Sequence, residues 1–211
     1  TTFWFAVPYA TPMHVGETGG VIRLTTIDRE AEVTITRPTS GSVIYQGTIP
    51  AGQTESVVLP TTYVQNNLTN RFWDVPDSSS ILIKSSSPSG DMPPEIKAYY
   101  EIARVDDSDT SVYVNGNNNP DIFSLKGKNS LGQEFYVPFQ TYWNNHAYND
   151  PRGAYSSFMV VATDDNTTIQ VNSPYPIARS TANGGGNYPS NTNINITLNR
   201  GDTYKLTPQR E

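Results

Sequence analysis

The sequence predicts an all-β protein made of two tandem, duplicated β-sandwich units of immunoglobulin-like or jelly-roll-like type. Apolar and polar residues alternate in short runs, which is the period of half-buried strands. Clusters rich in Gly, Pro, Asn and Ser separate these runs, as turns between strands do. A set of sequence landmarks also occurs twice in the same order, which indicates an internal repeat.

Strands are predicted wherever apolar residues occupy every second position, as in 33–35, 169–171 and 194–198. Further strands are predicted within 79–88 and 95–105. Leu, Ala, Glu and Lys are sparse, so long helices are not expected. A single helical turn is predicted at "PTTYVQNNL", residues 60–68.

The repeat consists of an F-x-V-P strand, an acidic turn, an outgoing strand that a proline closes, and a Gly-x-Thr signal before another strand. The first copy has them at 5–8, 28–30, 33–38 and 52–54, and the second at 135–138, 164–166, 169–174 and 201–203. The segments around the acidic turns, 21–38 and 158–174, are predicted to be hairpins that bury their apolar faces against a second sheet. The first sandwich repeat is therefore assigned to residues 1–116 and the second to residues 117–211.

The two copies differ in extent. The first continues through 79–88 and 95–105 after its Gly-x-Thr strand, whereas the second reaches Glu211 just after the matching strand. We expect the second unit to be incomplete and C-terminally truncated, with an open sheet edge beside residues 204–206. Either a continuation of the chain fills that edge or a neighbouring chain donates a strand to it, which would allow self-assembly by strand donation.

Composition excludes several classes of protein. The net charge is −6 and no basic patch is present, which argues against nucleic-acid binding. No apolar run approaches the roughly 20 residues of a membrane span, so membrane insertion is not expected. The chain has no cysteine, which excludes disulfides, cysteine-based zinc sites and thiol catalysis.

Several segments carry a family resemblance: "FWFAVPYATP", "ILIKSSSP" with "IKAYYEI", "FSLKGKNSLGQEFYVPF" and "SSFMVVATDDNTTIQV". Together they resemble the N-terminal region of the IgG Fc-binding protein family, which includes bacterial surface proteins. The resemblance implies an extracellular all-β module, secreted or at the cell surface, that serves protein binding and cell adhesion rather than catalysis. It implies no particular ligand, and whether immunoglobulin is bound stays open.

Candidate sites are few. The two histidines, His14 and His146, are far apart in sequence, and no nucleophile–base pair is indicated, so neither an enzyme nor a transition-metal site is expected. Oxygen ligands for calcium occur in one acidic cluster, although acidic turns that solvate strand ends are the favoured interpretation. That cluster contains Asp106, Asp107, Asp109 and Asp121. No other cofactor is expected.

An aromatic stretch offers a candidate ligand-binding surface. It contains Tyr142, Trp143, His146 and Tyr148. Such side chains provide large, rigid contact areas for a sugar or a protein, but they also cap cores, which is the favoured interpretation. The leading hypothesis is a non-catalytic surface module for adhesion or surface assembly, with a protein or glycan partner. The alternatives are a carbohydrate-binding module and a structural subunit of a filament or surface layer.

Overall fold

The computed structural model describes residues 1–8, 19–68, 74–90, 92, 94–105, 112–113, 121–137, 142–143, 154–155 and 157–207. It confirms that the protein is mostly β, with several antiparallel sheets and one short α-helix. No helix in these residues is long and apolar enough to cross a bilayer.

The strands are numbered in chain order. They are β1 (Thr2–Ala6), β2 (Gly19–Thr26), β3 (Ala31–Thr36), β4 (Val43–Ile49), β5 (Thr54–Leu59), β6 (Pro76–Asp77), β7 (Ser80–Ser86), β8 (Ile96–Val105), β9 (Val112–Tyr113), β10 (Asp121–Ser124), β11 (Tyr142–Trp143), β12 (Ala154–Tyr155), β13 (Phe158–Val161), β14 (Thr167–Val171), β15 (Ile177–Ala178), β16 (Asn187–Tyr188), β17 (Ile194–Leu198) and β18 (Thr203–Leu206).

In the part of the chain that the structure describes, helical structure is limited to short turns. Helix α1 (Thr61–Tyr63) continues into a π-helical turn at Val64–Leu68, which confirms the helical turn predicted there. Two 3₁₀ turns follow later in the chain, at Lys128–Ser130 and Thr181–Asn183.

The chain divides into two compact units, and each is built from two stretches. Unit 1 comprises residues 1–69 and 79–131, and unit 2 comprises residues 70–78 and 132–211. Residues 70–78 thus interrupt unit 1 in sequence and belong to unit 2. The boundary predicted between residues 116 and 117, and the sandwich packing of both halves, stay predictions.

Unit 1 contains two antiparallel sheets, in the order β1-β7-β3-β4 and β10-β8-β2-β5, with β9 paired to the end of β8. One core cluster takes side chains from both sheets, among them Ile35 and Ile83 from the first and Ile22 and Tyr100 from the second. These four side chains are at most 1% exposed, and full burial of each aliphatic one stabilises the fold by about 1.5–3 kcal/mol.

Unit 2 is smaller and its sheets are shorter. Its pairings are β13-β18-β6, β14-β17, β11-β12 and β15-β16. Its core cluster consists of Ala162, Ile177, Ile194, Leu198, Tyr204 and Leu206.

The two segments predicted to be hairpins are not hairpins. Strand β2 pairs with β5 and β8, while β3 pairs with β4 and β7, so the turn at 27–30 carries the chain from one sheet to the other. The turn between β13 and β14 does the same, because β13 pairs with β18 and β14 pairs with β17. Period-two alternation shows which face of a strand is buried but does not identify its neighbour.

Both units therefore share one pairing pattern over four strands in the same chain order, β2 to β5 in unit 1 and β13, β14, β17 and β18 in unit 2. The strand before the acidic turn pairs with the Gly-x-Thr strand, as β2 does with β5 and β13 does with β18. The strand after the acidic turn pairs with the strand that precedes the Gly-x-Thr signal, as β3 does with β4 and β14 does with β17. The glycine of the signal has positive φ in both, +69° at Gly52 and +88° at Gly201.

Two expectations about unit 2 need correction. The edge beside residues 204–206 is not open, because β6 pairs with β18 through Asp77 opposite Thr203 and Pro76 opposite Tyr204. The second F-x-V-P landmark does not form a strand in its described residues, since 131–137 contain no strand. Its first-copy counterpart begins within β1, where Phe5 lies opposite Ile81 and Ala6 lies opposite Ser80.

Candidate functional site

One densely bonded polar group is the carboxylate of Asp74, in unit 2. Asp74 is fully buried and has φ of 58°, a left-handed conformation that Asp and Asn adopt more readily than most residues. Its backbone N–H donates to the carbonyl of Lys205 over 2.8 Å. The same segment continues into β6, which adds to β18. The backbone of residues 74–77 is therefore bonded to the rest of unit 2 from Asp74 onward.

Four donors converge on the Asp74 carboxylate. The backbone N–H of Ser180 and the side-chain amide of Asn183 each donate to Oδ2 over 3.0 Å. The hydroxyl of Tyr188 donates to Oδ1 over 3.1 Å, and the hydroxyl of Tyr204 donates to the same oxygen. A buried carboxylate is costly unless such donors replace its hydration, so these bonds are what allows Asp74 to be buried.

The two tyrosines of the cluster act as neutral donors. Burial raises the pKa of the Tyr204 phenol, and its hydrogen bond to Asp74 raises it further. Burial also raises the pKa of Tyr188, with a second contribution from the charge of Asp74. Both hydroxyls therefore keep their protons at neutral pH and above. The cluster is suited to holding two chain stretches together, and nothing in it activates a nucleophile.

A shallow groove of about 400 Å³ lies beside this cluster. Its lining consists of Pro76, Arg179, Asn183, Tyr188, Ile194, Asn195, Ile196, Thr197 and Tyr204. The guanidinium of Arg179 lies over the Tyr188 ring, 4.8 Å from its centroid, and its Nε has no hydrogen-bond partner among the described residues. Amides, a hydroxyl, a guanidinium and aromatic rings suit a polar, uncharged or anionic ligand.

A second feature is an exposed apolar segment in unit 2. Phe135, Tyr136 and Val137 are 63%, 88% and 48% exposed. The Tyr136 hydroxyl donates to the carboxylate of Glu134 over 3.0 Å, which leaves the ring in solvent. Adjacent exposed aromatic and apolar side chains mark interaction surfaces more often than single ones do.

The predicted ligand-binding residues are only partly within the described chain. Tyr142 and Trp143 form β11, opposite Tyr155 and Ala154 of β12. His146 and Tyr148 lie outside the described residues, as does His14. Whether the aromatic stretch forms one surface stays a prediction.

The calcium candidates are likewise only partly within the described residues. Asp121 begins β10, while Asp106, Asp107 and Asp109 lie outside the described residues. Elsewhere, the residues that the structure does describe contain no group of three or more His, Cys, Asp or Glu side chains that could hold a metal ion.

Sequence reasoning missed Asp74 and the groove. Asp74 is one acidic residue in "RFWDVPD", and its partners lie 106 to 130 positions further along the chain. No local pattern connects it to them. The one sequence signal nearby is the polar, glycine-rich "STANGGGNY", which contributes three of the four donors.

Comparison with known proteins finds a family similarity in the second half of the chain. No curated protein and no solved structure matches it. A family model does match: residues 121–211 fit the family described as IgGFc binding protein. The match contains strands β10 to β18 and the exposed segment at 135–137, and it agrees with the resemblance carried by the sequence. Residues 121–211 therefore carry the similarity to the IgGFc binding protein family.

Proposed function

We propose that this protein is a non-catalytic extracellular module that binds a protein partner, in cell adhesion or in a surface assembly. It consists of two tandem, duplicated β-sandwich units. The matched family is generally non-catalytic and typically extracellular, and its description names protein binding. The observation that carries the proposal is the exposure of Phe135, Tyr136 and Val137 within the matched residues.

The duplication is supported by the shared pairing pattern. In each unit the strands on either side of the acidic turn lie in different sheets, and each pairs with a later strand in nested order. The core cluster of unit 1 already joins its two sheets. The core cluster of unit 2 likewise takes Ile194 and Leu198 from β17, and Tyr204 and Leu206 from β18. Strands β17 and β18 belong to different sheets. Two facing sheets with a common core are what a sandwich requires.

Protein binding is tested with the full 211-residue chain on an array of purified extracellular proteins that includes immunoglobulin Fc. The test variant is Phe135→Ser with Tyr136→Ser, and the matched control is Ile27→Ser with Val43→Ser, which removes two exposed apolar side chains from unit 1. We expect the test variant to lose at least about tenfold in affinity, because exposed aromatic anchors dominate binding energies. Retained binding in the test variant would contradict the proposal.

A carbohydrate-binding module is the second candidate, favoured by the amide, hydroxyl and aromatic lining of the groove beside Asp74. The aromatic stretch at Tyr142 and Trp143 is its other proposed surface. A glycan array distinguishes the two functions. If the array shows glycan binding and Trp143→Ala abolishes it, we would conclude that the protein binds carbohydrate and not a protein partner.

Binding should need no cofactor. We expect affinity to be the same with and without a calcium chelator. A chelator effect that disappears in Asp106→Asn with Asp107→Asn would instead place a calcium ion at the acidic cluster.

A further inference from the structure

Asn183 is followed by Gly184, a pairing that favours loss of the asparagine amide. Glycine has no Cβ, so its backbone nitrogen approaches the preceding side chain more closely than a residue with a side chain allows. Asparagine is also among the residues that are chemically unstable on heating. The chain has a second Asn-Gly pair, Asn115-Gly116, which lies outside the described residues. Asn183-Gly184 is therefore the pair whose surroundings the structure defines.

The reaction of this pair uses groups of the chain itself and water. The backbone nitrogen of Gly184 attacks Cγ of Asn183, and the bond from Cγ to Nδ2 breaks as the new C–N bond forms. The hydrogen of the Gly184 N–H leaves with the amide nitrogen as ammonia, and a succinimide ring remains. Water then adds to one of the two ring carbonyls. Opening at Cγ gives aspartate, and opening at the backbone carbonyl gives isoaspartate, which lengthens the main chain by one carbon.

Hydrogen bonds restrain both reacting groups in the folded protein. Nδ2 of Asn183 donates to the Asp74 carbonyl and to Asp74 Oδ2, the latter over 3.0 Å. The Gly184 N–H donates to the carbonyl of Thr181 over 3.2 Å, which closes the 3₁₀ turn at Thr181–Asn183. Attack requires that the Asn183 side chain turn its Cγ toward the Gly184 nitrogen and that this nitrogen release its hydrogen. Both requirements break these bonds, so the closed turn protects the amide.

The pair nevertheless lies at the surface of unit 2. Asn183 and Gly184 are exposed, whereas Asp74 is fully buried. Opening of an exposed turn costs less free energy than unfolding of a whole unit. The turn therefore opens more often than unit 2 unfolds, and water reaches the pair whenever it does.

The product of the reaction cannot make the bonds that the amide makes. A carboxylate at position 183 has no N–H to donate, and in the place of the amide it would lie 3.0 Å from Asp74 Oδ2. Asp74 is fully buried, so little water screens the repulsion between the two charges. The donors that remain to the Asp74 carboxylate come from Ser180, Tyr188 and Tyr204. A turn that has reacted therefore does not close on Asp74 again.

We propose that Asn183 is a deamidation site that makes an opening of this turn permanent. While the turn is closed, the amide is bonded to Asp74 and survives. Each opening allows the Gly184 nitrogen to react, and conversion removes a donor and adds a charge beside the buried carboxylate. The fraction of intact molecules falls with the time that the turn spends open, which limits the lifetime of unit 2. This inference does not depend on which partner the protein binds.

The first test measures conversion at Asn183 in the full 211-residue chain, incubated at neutral pH and analysed by peptide mass spectrometry. Trypsin releases residues 180–200 as one peptide, because Arg179 and Arg200 bound this stretch and no other Lys or Arg lies within it. A synthetic peptide of residues 180–200 is the unfolded control. We expect Asn183 to convert at least about tenfold more slowly in the chain than in the peptide, because reaction in the chain waits for opening.

Weakening the closed turn should remove this protection. Asp74→Asn replaces the carboxylate that Asn183 bonds to, so conversion at Asn183 should become at least about tenfold faster than in the unmodified chain. Asp28→Asn, in an exposed turn of unit 1, is the matched control and should leave the rate unchanged. Equal rates in the unmodified chain and the peptide overturn the inference, as does a peptide that keeps its amide. An unchanged rate in Asp74→Asn also overturns it.

The second test asks whether the product holds the turn open. Asn183→Asp carries one product from the start, and Asn183→Ala removes the same donor without adding a charge. Protection of the β17 amides from hydrogen exchange should fall at least about tenfold further in Asn183→Asp than in Asn183→Ala. If neither variant folds, the unmodified chain is aged until part of its Asn183 has converted, and exchange is compared between converted and unconverted peptides of one sample. Equal exchange in either comparison overturns the inference.

Discussion

The hydroxyl of Tyr188 donates a hydrogen bond to the Asp74 carboxylate over 3.1 Å, although 114 positions separate the two residues. The bond joins the two stretches of chain from which unit 2 is made. Because residues 70–78 come from the middle of unit 1 in sequence, β6 can pair with β18 only after residues 203–206 have been synthesised. The Asp74 side chain alone accepts hydrogen bonds from three side chains of the second stretch and from the backbone N–H of Ser180.

Asp74→Asn should destabilise unit 2 by about 2–3 kcal/mol, because an amide offers one acceptor oxygen to four donors and turns its own N–H groups toward them. Asn adopts positive φ as readily as Asp, so the backbone is not the cause. Hydrogen exchange of the β17 and β18 amides measures the stability of unit 2 separately from that of unit 1. Asp28→Asn, in an exposed turn of unit 1, is the control and should change stability by less than about 0.5 kcal/mol. Unchanged exchange in Asp74→Asn would show that the cluster is not structural.

Lys205 makes the stability of unit 2 depend on pH. Its side chain is 6% exposed, and burial lowers its pKa from 10.5 to about 8, with the charge of Asp77 opposing the shift. Between these two values the unfolded chain holds a proton that the folded chain has released, so stability rises with pH from about 8 toward 10.5. Tyr188 and Tyr204, whose pKa values are raised, act in the opposite direction above pH 10.

Lys205→Met should remove the rise and stabilise unit 2 at pH 7 by about 1–3 kcal/mol, since no buried charge is left to desolvate. The protection of the β18 amides from exchange, corrected for the intrinsic pH dependence, should increase between pH 8 and 9.5 in the unmodified protein. In the variant it should stay level. A level profile in the unmodified protein would mean that Lys205 keeps its charge at no cost.

The sequence predicted the positions of several strands, but it did not predict which strands pair with each other. Alternation at 33–35 and 169–171 located β3 and β14, and the helical turn at 60–68 was also found. The partners of these strands depend on side chains tens of positions away, so the predicted hairpins turned out to join different sheets. For the same reason the cover of β18 by β6 was missed, because two residues beginning with proline carry no strand signal.

Gly20 shows how tightly the sheets of unit 1 are packed. A Cβ at this position would lie 2.3 Å from the hydroxyl oxygen of Tyr100 and 2.6 Å from two of its ring carbons. Tyr100 is 1% exposed and packs in the common core, so it has little room to move. Gly20→Ala should therefore destabilise unit 1 by about 1–3 kcal/mol, measured by amide exchange in β2 and β8.

Gly127→Ala is the matched control for Gly20→Ala. The nearest atom to its added Cβ is in the Phe3 ring at 3.6 Å, an ordinary contact. Equal effects of the two substitutions would show that Tyr100 rotates out of the way without cost.

The glycines of the two Gly-x-Thr signals provide a test of the shared backbone. Gly52 and Gly201 have φ of +69° and +88°, where a Cβ costs about 1–2 kcal/mol. At Gly52 the nearest atom to an added Cβ is the carbonyl oxygen of Ile27 at 3.9 Å, so conformation and not space sets the cost. Gly52→Ala should weaken unit 1, and Gly201→Ala should weaken unit 2, each by that amount. Gly52→Asn and Gly201→Asn should cost less, because Asn tolerates positive φ. Amide exchange in β5 and β18 reports the two units separately. If Ala and Asn are equivalent at both positions, the turns relax to negative φ, and the common turn geometry is not a requirement of either unit.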